Sequence, residues 1–250
     1  MLKQFDRIAQ GYDLTNDLIS FGMHRLWKTK AIKEMSLQKA GTYLDVCSGT
    51  GDLAMMIATQ KAFEGTVIGL DFSAEMLNVA KRRQSKIASL SYIAEDQIGS
   101  NPSKKSLLKE SGRAALGFKQ GDAQELPFED NCFDAAIISF GLRNLSDLQK
   151  GLNEMARVVK PGGKVLNLDL GQPDMPIFTP FFLFFFDKIV PLIGELVQQD
   201  RQAYTYLPES RKSYPHPQKL STMFEAAGLI DVRWEKLAMG SVAMHVGTVK

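Results

Sequence analysis

Several residue types that mark particular classes of protein are scarce in this chain. Its 250 residues include only two cysteines, Cys47 and Cys132, which cannot build a disulfide framework and lack CxxC spacing. Three scattered histidines give no reason to expect a metal site. A formal net charge of +2 is too small to predict a nucleic-acid partner. The composition is that of an ordinary globular protein, and two free thiols suit a reducing cytoplasm.

Long apolar runs are also missing. The most apolar stretch, residues 177–197, is interrupted by prolines and charged residues, whereas a helix that spans a bilayer needs about 20 predominantly apolar residues. Lys3, Asp6 and Arg7 precede any apolar run, so the beginning of the sequence is not typical of a secretory signal. We therefore expect a cytoplasmic protein without a membrane-spanning segment.

Apolar, strand-like runs alternate with helical segments along most of the chain. The length allows one large domain, and repeated β-α-β units predict a parallel sheet that helices cover on both faces. Ser73 is a good N-cap for the helix that follows it. A helical pattern over residues 147–159 ends at the Pro-Gly-Gly breaker of residues 161–163. The predicted strands are residues 42–48, 66–72, 116–122, 133–140 and 164–170.

Two segments interrupt this alternation. Between Asp71 and Asp122 the chain exceeds the roughly 30 residues that a βαβ unit needs, and we interpret the surplus at residues 88–115 as a solvated surface excursion. The phenylalanine-rich segment 172–217 is placed to cover the carboxyl ends of the strands. With an N-terminal helical segment at residues 1–40, these parts make up one expected domain over the 250 residues.

The residues most suggestive of chemistry follow the first predicted strand. Gly49 and Gly51 let the backbone turn tightly and approach a ligand before a helix begins at Asp52. This pattern fits a nicotinamide cofactor as well as S-adenosylmethionine. Asp45 and Asp52 would oppose the pyrophosphate that a dinucleotide places at such a helix N-terminus, but they suit a ligand that carries an ammonium group. The alternatives are that Asp52 only caps the helix and that Asp45 is exposed.

Two further carboxylates follow later strands. Asp71 ends the second strand, where it can accept hydrogen bonds from both ribose hydroxyls of an adenosine ligand. Asp122 ends the third strand, where its carboxylate suits an adenine amino group and the Ala123 N–H suits a ring nitrogen. The alternative for Asp122 is a turn cap. In this order, together with the Pro-Gly-Gly of residues 161–163, the set resembles class I methyltransferases, which use S-adenosylmethionine.

A closer resemblance covers nearly the whole chain. Its residues are Phe5-Asp6, Tyr12-Asp13, Asn16-Asp17-Leu18, Gly22, His24-Arg25, Trp27-Lys28, residues 139–145 (Ser-Phe-Gly-Leu-Arg-Asn-Leu), residues 157–163, Tyr204-x-Tyr-Leu-x-Glu209-Ser210 and Ala243-Met-His245-x-Gly247. These residues resemble the UbiE/MenG/COQ5 family of quinone C-methyltransferases. The excursion at 88–115, the Asp-Leu-Gly-Gln of residues 169–172 and the phenylalanine-rich run depart from the family's usual pattern.

The resemblance implies a class I, Rossmann-like α/β fold, with a doubly wound, mostly parallel sheet and an antiparallel last strand. It implies C-methylation of a lipophilic, prenylated quinol in menaquinone or ubiquinone biosynthesis, with demethylmenaquinol as the expected substrate. It also allows peripheral contact with the inner face of a membrane, and a homodimer. The implied cofactor-binding residues are Asp45, Gly49, Thr50, Gly51, Asp71, Phe72, Asp122, Ala123 and Ser139.

The catalytic candidates are Arg143, Asn144, His24 and Tyr12. Loss of a hydroxyl proton activates a quinol ring carbon, and a guanidinium at Arg143 would favour that loss by its charge. Asn144 could hydrogen-bond a ring oxygen, while Tyr12 and His24 are expected over the pocket, His24 as a base. The alternatives are a surface salt bridge for Arg143, a cap for Asn144 and a structural role for His24.

Several alternatives stay open. The phenylalanines of residues 178–186 suit either a buried lid helix or an apolar entrance for a prenyl tail. Other candidate functions are methylation of another lipophilic or phenolic metabolite, nicotinamide-dependent oxidoreduction, which the acidic glycine turn disfavours, and a non-catalytic role in an assembly. The sequence does not distinguish benzoquinol from naphthoquinol and does not identify the proton acceptor.

Overall fold

The predicted strands lie in one sheet of eight strands in the computed structural model, which describes residues 11–103, 112–198 and 210–250. Along the sheet the order is β3-β4-β2-β1-β5-β6-β8-β7, and β8 runs antiparallel to both of its neighbours. The doubly wound, mostly parallel sheet with an antiparallel last strand is therefore confirmed. The strands are β1 (Thr42–Val46), β2 (Thr66–Asp71), β3 (Ser91–Ile93), β4 (Ala115–Gln120), β5 (Phe133–Ser139), β6 (Val159–Leu170), β7 (Leu229–Leu237) and β8 (Val242–Val249).

Helices cover both faces of this sheet. One face packs against α2, α3 and α4 through side chains such as Ile32 and Ile57, and the other packs against α5 and α8 through side chains such as Leu152 and Phe224. The helices are α1 (Tyr12–Ser20), α2 (His24–Glu34), α3 (Asp52–Ala58), α4 (Ala74–Gln84), α5 (Leu148–Val158), α6 (Phe178–Phe184), α7 (Val190–Gln198) and α8 (Pro217–Ala226). Because the central strands are covered on both sides, they read as continuous apolar runs.

A third, smaller cluster lies at the carboxyl ends of the parallel strands. Phe186 and Val190, from the π-helical turn Phe185–Ile189 and from α7, pack there with Met76 of α4 and with Tyr12 and Ile19 of α1. This cluster places α1, α6 and α7 over the carboxyl ends of the strands.

Local signals positioned several elements correctly. All of β1 is buried, and the Ser73 hydroxyl caps α4 by accepting a hydrogen bond from the Met76 N–H at 3.1 Å. At Gly51, which precedes α3, φ is +76° and an added Cβ would lie 2.6 Å from the buried Phe118 ring. Only glycine meets both constraints there, because other residues are strained at positive φ and the ring has no room to move.

The surface excursion at residues 88–115 is corrected in part. Its first portion adds β3 at the edge of the sheet, in parallel with β4, and it buries Ile93 and Ile98. The Pro-Gly-Gly of residues 161–163 ends α5 as expected, but it lies within β6 and not before it. The pairing of β5 with β6 shifts register between Phe133 and Ala135, and this irregularity accommodates the glycines.

Some expectations fall on parts of the chain outside the described residues. These are residues 1–10 of the N-terminal segment with Phe5 and Asp6, residues 104–111 of the excursion, and residues 199–209 of the covering segment with Tyr204 and Glu209.

Candidate functional site

A cavity of about 330 Å³ lies at the carboxyl ends of the central strands, and we call it the strand-tip cavity. Its lining includes Gly49, Asp71, Phe72, Asp122, Ala123 and Ser139 among the predicted cofactor residues. A small cavity of about 40 Å³ adjoins it and is lined by Asp45 and Thr50, with Gly49 and Ser139 shared between the two. Of the predicted cofactor residues only Gly51 lines neither cavity, because its place is in the turn.

Asp71 holds the glycine turn against the beginning of α4. The Gly49 N–H donates to Asp71 Oδ2 at 2.8 Å, and the Ser73 N–H donates to Oδ1 at 2.9 Å. Asp71 also lines the strand-tip cavity, and a carboxylate oxygen can accept more than one hydrogen bond. The geometry fits a ligand hydroxyl pair at this carboxylate.

Asp45 is a buried carboxyl group at the end of β1. Its Oδ2 accepts a hydrogen bond from the Ala54 N–H at 3.0 Å, in the first turn of α3. Burial raises the pKa of Asp45 to about 7, although the nearby charge of Lys28 opposes that rise. The alternative that Asp45 is exposed is therefore wrong, and a cationic group placed beside it would stabilise its ionised form.

Asp52 is not available to a cationic ligand in the way the sequence suggests. Its carboxylate accepts hydrogen bonds from Lys28 Nζ at 2.9 Å and from Arg83 Nη2 at 3.0 Å. Burial acts to raise the pKa of Asp52, but these two cations outweigh it and lower that pKa to about 2. The charge of Asp52 is satisfied within the protein, which leaves Asp45 as the acidic group of the glycine turn that suits an ammonium group.

A second ionic contact joins α1 to the same turn. The Thr50 hydroxyl donates to Asp13 Oδ1 at 2.6 Å, and Arg83 Nη1 lies 2.7 Å from Asp13 Oδ2. Arg83 Nη1 also donates to the Thr50 carbonyl oxygen at 3.1 Å. The first helix is thereby fixed over the strand-tip cavity, where Tyr12 contributes to the lining.

An apolar cavity of about 360 Å³ lies beside the strand-tip cavity. Its walls come from α1, α2, α6, the π-helical turn, the end of β6 and the beginning of β8. The apolar lining includes Ile19, Phe21, Met23, Trp27, Leu170, Phe178, Phe181, Phe182, Phe185, Phe186, Met239 and Val242. Its size lies at the lower end of the range for small-molecule sites, roughly 300–1,000 Å³.

Tyr12 and Phe140 line both of these cavities and so form the boundary between them. Phe140 follows β5 with φ at +55°, a conformation that costs energy for a bulky residue and is concentrated at functional sites. Its carbonyl oxygen accepts a hydrogen bond from Arg143 Nη1 at 2.7 Å, which helps to hold this turn. Burial raises the pKa of the Tyr12 phenol, so it faces the boundary in its neutral form.

Arg143 lines the apolar cavity, as expected, but its charge is already paired. Its Nη1 lies 2.5 Å from Asp169 Oδ1, and the side chains of Arg143 and Asp169 are 4% and 0% exposed. The alternative of a surface salt bridge is therefore wrong, because this pair is buried. A paired guanidinium lowers the pKa of a neighbouring hydroxyl less than an unpaired guanidinium does, because the field of the carboxylate opposes the field of the guanidinium.

Asn144 and His24 line different cavities. Asn144 lines the strand-tip cavity and not the apolar one, so the expected hydrogen bond to a substrate ring finds no support in its position. His24 lines the apolar cavity and the small cavity, and its Nε2 lies 2.8 Å from Asp17 Oδ1. The four catalytic candidates thus meet around one boundary, with Asn144 on the cofactor side.

Unpaired buried polar atoms test whether these cavities suit a ligand. Buried side-chain atoms without a hydrogen-bond partner occur at several places among the described residues, for example at Gln84, Ser91 and Asn167. Three further such atoms, Ser139 Oγ, Asn144 Oδ1 and Ser48 Oγ, belong to residues that line the strand-tip cavity or the small one. Because buried polar atoms are rarely left unpaired, these three positions fit a polar ligand such as S-adenosylmethionine.

Sequence reasoning missed five residues that shape the site. Asp13 and Lys28 belong to the N-terminal resemblance but carried no assigned role, and Phe140 belongs to the run at residues 139–145. Arg83 gave no signal, because it is one of several basic residues at the end of α4. Asp169 stood out only as a departure from the family's pattern.

Comparisons with known proteins identify the relatives of this chain. The sequence model of the ubiE/COQ5 methyltransferase family matches residues 1–98 and 93–249, and its two matches meet in the excursion. The demethylmenaquinone methyltransferase of Desulfitobacterium hafniense is 39% identical over 243 residues, which cover 97% of this chain and 87% of the relative. The protein of the same name from Lactiplantibacillus plantarum is 37% identical, covering 98% of this chain and 93% of the relative.

Solved structures show the same fold. A SAM-dependent methyltransferase of Thermotoga maritima superposes with a TM-score of 0.63 at 18% identity, with full coverage of both chains. A phosphoethanolamine N-methyltransferase of Haemonchus contortus, solved with S-adenosylmethionine, gives a TM-score of 0.57 at 17% identity and covers 89% of this chain and 52% of that one. The family match and the named relatives favour methyl transfer over nicotinamide-dependent oxidoreduction.

Asp45 makes ligand binding dependent on pH. With a pKa of about 7 in the free protein, its carboxyl group is mostly protonated below that pH. An ammonium group requires the carboxylate, so binding below pH 7 releases a proton, while binding well above it does not. We expect the affinity for S-adenosylhomocysteine to fall by up to about tenfold per pH unit below pH 7, as measured by calorimetry in buffers of different ionisation heat.

Asp45→Asn is the control for this dependence. It cannot titrate, so its weaker binding should not change across the same pH interval. A wild-type affinity that stays constant as the pH falls would contradict the assigned role of Asp45.

The Arg143–Asp169 pair should behave as a buried ion pair. Asp169→Asn leaves the guanidinium buried without its counter-charge, and we expect a loss of about 3–5 kcal/mol in the free energy of unfolding. A surface pair would lose no more than about 1 kcal/mol. Urea unfolding of Asp169→Asn, Arg143→Met and the double variant measures the coupling. The double variant should lose less than the sum of the single losses, and simple additivity would be inconsistent with a direct pair.

Proposed function

This chain belongs to the ubiE/COQ5 methyltransferase family and is therefore a methyltransferase that uses S-adenosylmethionine; we propose that it methylates a ring carbon of demethylmenaquinol to give menaquinol. Relatives at 36–39% identity over most of the chain bear the name demethylmenaquinone methyltransferase, which supports this substrate. We also propose that residues 1–250 act as one domain, in which the segment at 172–217 covers the quinol.

The observation that carries the proposal is the pair of adjoining cavities. One is lined by carboxylates and unpaired polar atoms, and the other by phenylalanine and aliphatic side chains. A charged methyl donor needs the polar cavity and a lipophilic aromatic acceptor needs the apolar one. The two cavities must also adjoin, so that the reacting atoms can meet. Because Tyr12 and Phe140 belong to both linings, a donor and an acceptor bound in the two cavities would meet there.

The residues of the strand-tip cavity provide a site for the donor. Asp71 would accept from the ribose hydroxyls, Asp122 and Ala123 would meet the adenine ring, and Asp45 would face the ammonium group. Phe72, which is half exposed beside Asp71, offers an aromatic face at the rim. When bound, S-adenosylmethionine supplies a methyl group on a positively charged sulfur.

The protein's contribution to the reaction is positioning and exclusion of water. Correct placement of two reactants can supply on the order of 7–11 kcal/mol of the barrier. The Arg143–Asp169 pair holds the Phe140 carbonyl and with it the boundary turn, so we assign Arg143 a positioning role with a residual electrostatic effect. Asn144 would contact the donor, and Tyr12 would separate the two ligands except at the reacting atoms.

The apolar cavity opens onto an apolar surface. Phe21, Phe181 and Met239 line the cavity and are also 75%, 71% and 53% exposed. In the described part of the chain no helix is long and apolar enough to span a membrane. We propose that this rim touches the cytoplasmic face of the membrane, so that the prenyl tail of the quinol leaves the cavity into lipid. A homodimer remains a prediction that light scattering would test.

The substrate is tested with purified protein. We expect the highest kcat/KM for demethylmenaquinol with a short prenyl tail, a lower value for the corresponding methoxybenzoquinol, and the lowest for a naphthoquinol without a tail, with products identified by mass spectrometry. Asp71→Ala should abolish methylation of all three, because donor binding is lost. A preference for the benzoquinol would indicate a role in ubiquinone biosynthesis. Equal use of an unprenylated phenol would indicate that the substrate is another small metabolite.

Membrane contact is tested by flotation with liposomes that contain anionic lipid. The double variant Phe21→Ser and Phe181→Ser should reduce the bound fraction at least severalfold, because it removes two large apolar side chains from the rim. Tyr92→Ser is the matched control, since Tyr92 is an exposed aromatic residue on β3, outside the cavity lining. An equal reduction by both variants would refute the assignment of the rim.

A further inference from the structure

The described lining of the apolar cavity contains few groups that can take the proton of a quinol hydroxyl. Arg143 and Lys28 are cations paired with Asp169 and Asp52, and a guanidinium holds no lone pair for a proton. The Tyr12 phenol is neutral, and the amide and hydroxyl groups of Asn16, Ser20 and Ser241 are not bases. Among these described residues, His24 has the one side chain with a nitrogen lone pair that can accept a proton.

The turn between α1 and α2 builds a partner for this histidine. The chain reverses after Ser20 through Phe21 and Gly22, whose φ angles are +51° and +72°. This reversal brings Asp17, in the last turn of α1, against His24, the first residue of α2. Asp17 Oδ1 lies 2.8 Å from His24 Nε2, while Asp17 Oδ2 accepts a hydrogen bond from the exposed Arg25 Nη2 at 2.7 Å.

This contact sets the tautomer of the imidazole. A carboxylate only accepts hydrogen bonds, so Nε2 carries the hydrogen in the neutral ring and Nδ1 keeps its lone pair. Nδ1 is buried and has no hydrogen-bond partner among the described residues, and the side chain is only 9% exposed. The arrangement has the form of a base that is oriented by a carboxylate, the pattern common to many sites of proton transfer.

The surrounding charges also fit a ring that becomes cationic. The ionisable side chains that share a cavity with His24 are Tyr12 and Asp13 of α1, Lys28 of α2, Asp45 of β1, Cys47, Asp52 of α3 and Arg143. Burial raises the pKa of the Cys47 thiol, so this side chain is neutral. Both lysine and arginine in this set have their own carboxylate partners. The carboxylate in direct contact with His24 is Asp17, which stabilises an imidazolium by its charge.

We propose that His24, oriented by Asp17, is the proton acceptor for the quinol hydroxyl in the methylation reaction, an inference that rests on the proposed function. The O–H bond breaks, the proton passes to Nδ1, and the electron pair stays on the quinol oxygen and raises the electron density of the ring carbon. That carbon forms the new bond to the methyl group while the methyl–sulfur bond of the donor breaks and its electron pair stays on sulfur. The carbon then loses its hydrogen as the proton that is released. The ring becomes aromatic again, His24 returns its proton to the oxygen, and each turnover releases one proton.

The sharpest test uses two quinols that differ in acidity. With demethylmenaquinol we expect His24→Gln to lower kcat by about 10²-fold or more, as is typical for loss of a general base, while KM and the Kd for S-adenosylhomocysteine change little. With a ring-halogenated analogue, whose hydroxyl ionises more readily, the same variant should lose much less. Imidazole in solution should restore part of the activity of His24→Ala.

Controls separate this role from a structural one. His216→Gln changes an exposed histidine at the N-cap of α8 and should leave both rates unchanged. Asp17→Asn should show a smaller loss than His24→Gln with the same dependence on quinol acidity, and it decides the matter if the His24 variants fail to fold. An equal loss on both quinols, or no loss, would overturn the proposal. Failure of the wild-type protein to methylate any quinol would instead refute the proposed function, and this inference with it.

Discussion

The site depends on an ionic network at the glycine turn between β1 and α3. Asp52 and Asp13 each contact Arg83, Asp52 also binds Lys28 of α2, and the Thr50 hydroxyl joins Asp13 to the turn. These contacts fix two N-terminal helices over the carboxyl edge of a sheet that would otherwise open to solvent. Isolated surface pairs contribute little to stability, but a network that shares partners and is partly shielded from water defines a geometry.

Three carboxyl groups near the carboxyl ends of the strands differ in how far nearby cations compensate the cost of burying them. Asp169 is buried with a guanidinium, Asp52 is partly buried with two cations, and Asp45 is buried with only one backbone N–H and a more distant lysine. Burial favours the uncharged form of a carboxyl group unless a cation compensates it. Asp45 is therefore the position where a cationic ligand gains most from the protein, and it lies next to the strand-tip cavity.

Aromatic side chains divide this edge into two environments. Phe140 packs against Trp27, with ring centroids 6.3 Å apart, and together with Tyr12 it separates the polar cavity from the apolar one. The phenylalanines of α6 and the π-helical turn occupy two kinds of position. Phe186 is buried against Met76, whereas Phe181 lies at the exposed rim. The position of Phe186 fits a covering helix, and the position of Phe181 fits the proposed entrance for a prenyl tail. In the proposed reaction, the boundary would exclude water while the two ligands meet.

The sequence alone determined the features that depend on neighbours along the chain. Apolar runs predicted five of the eight strands, and Ser73 marked the beginning of α4. The glycines with Asp45, Asp71 and Asp122 predicted a site at the strand ends, because parallel strands bring these ends together. Only the tertiary structure decided which charges remain available. Arg143 meets Asp169 across 26 positions, Asp52 meets Lys28 across 24, and the turn after α1 sets His24 against Asp17. Pairing and burial of this kind depend on the packing of distant segments, which no local pattern encodes.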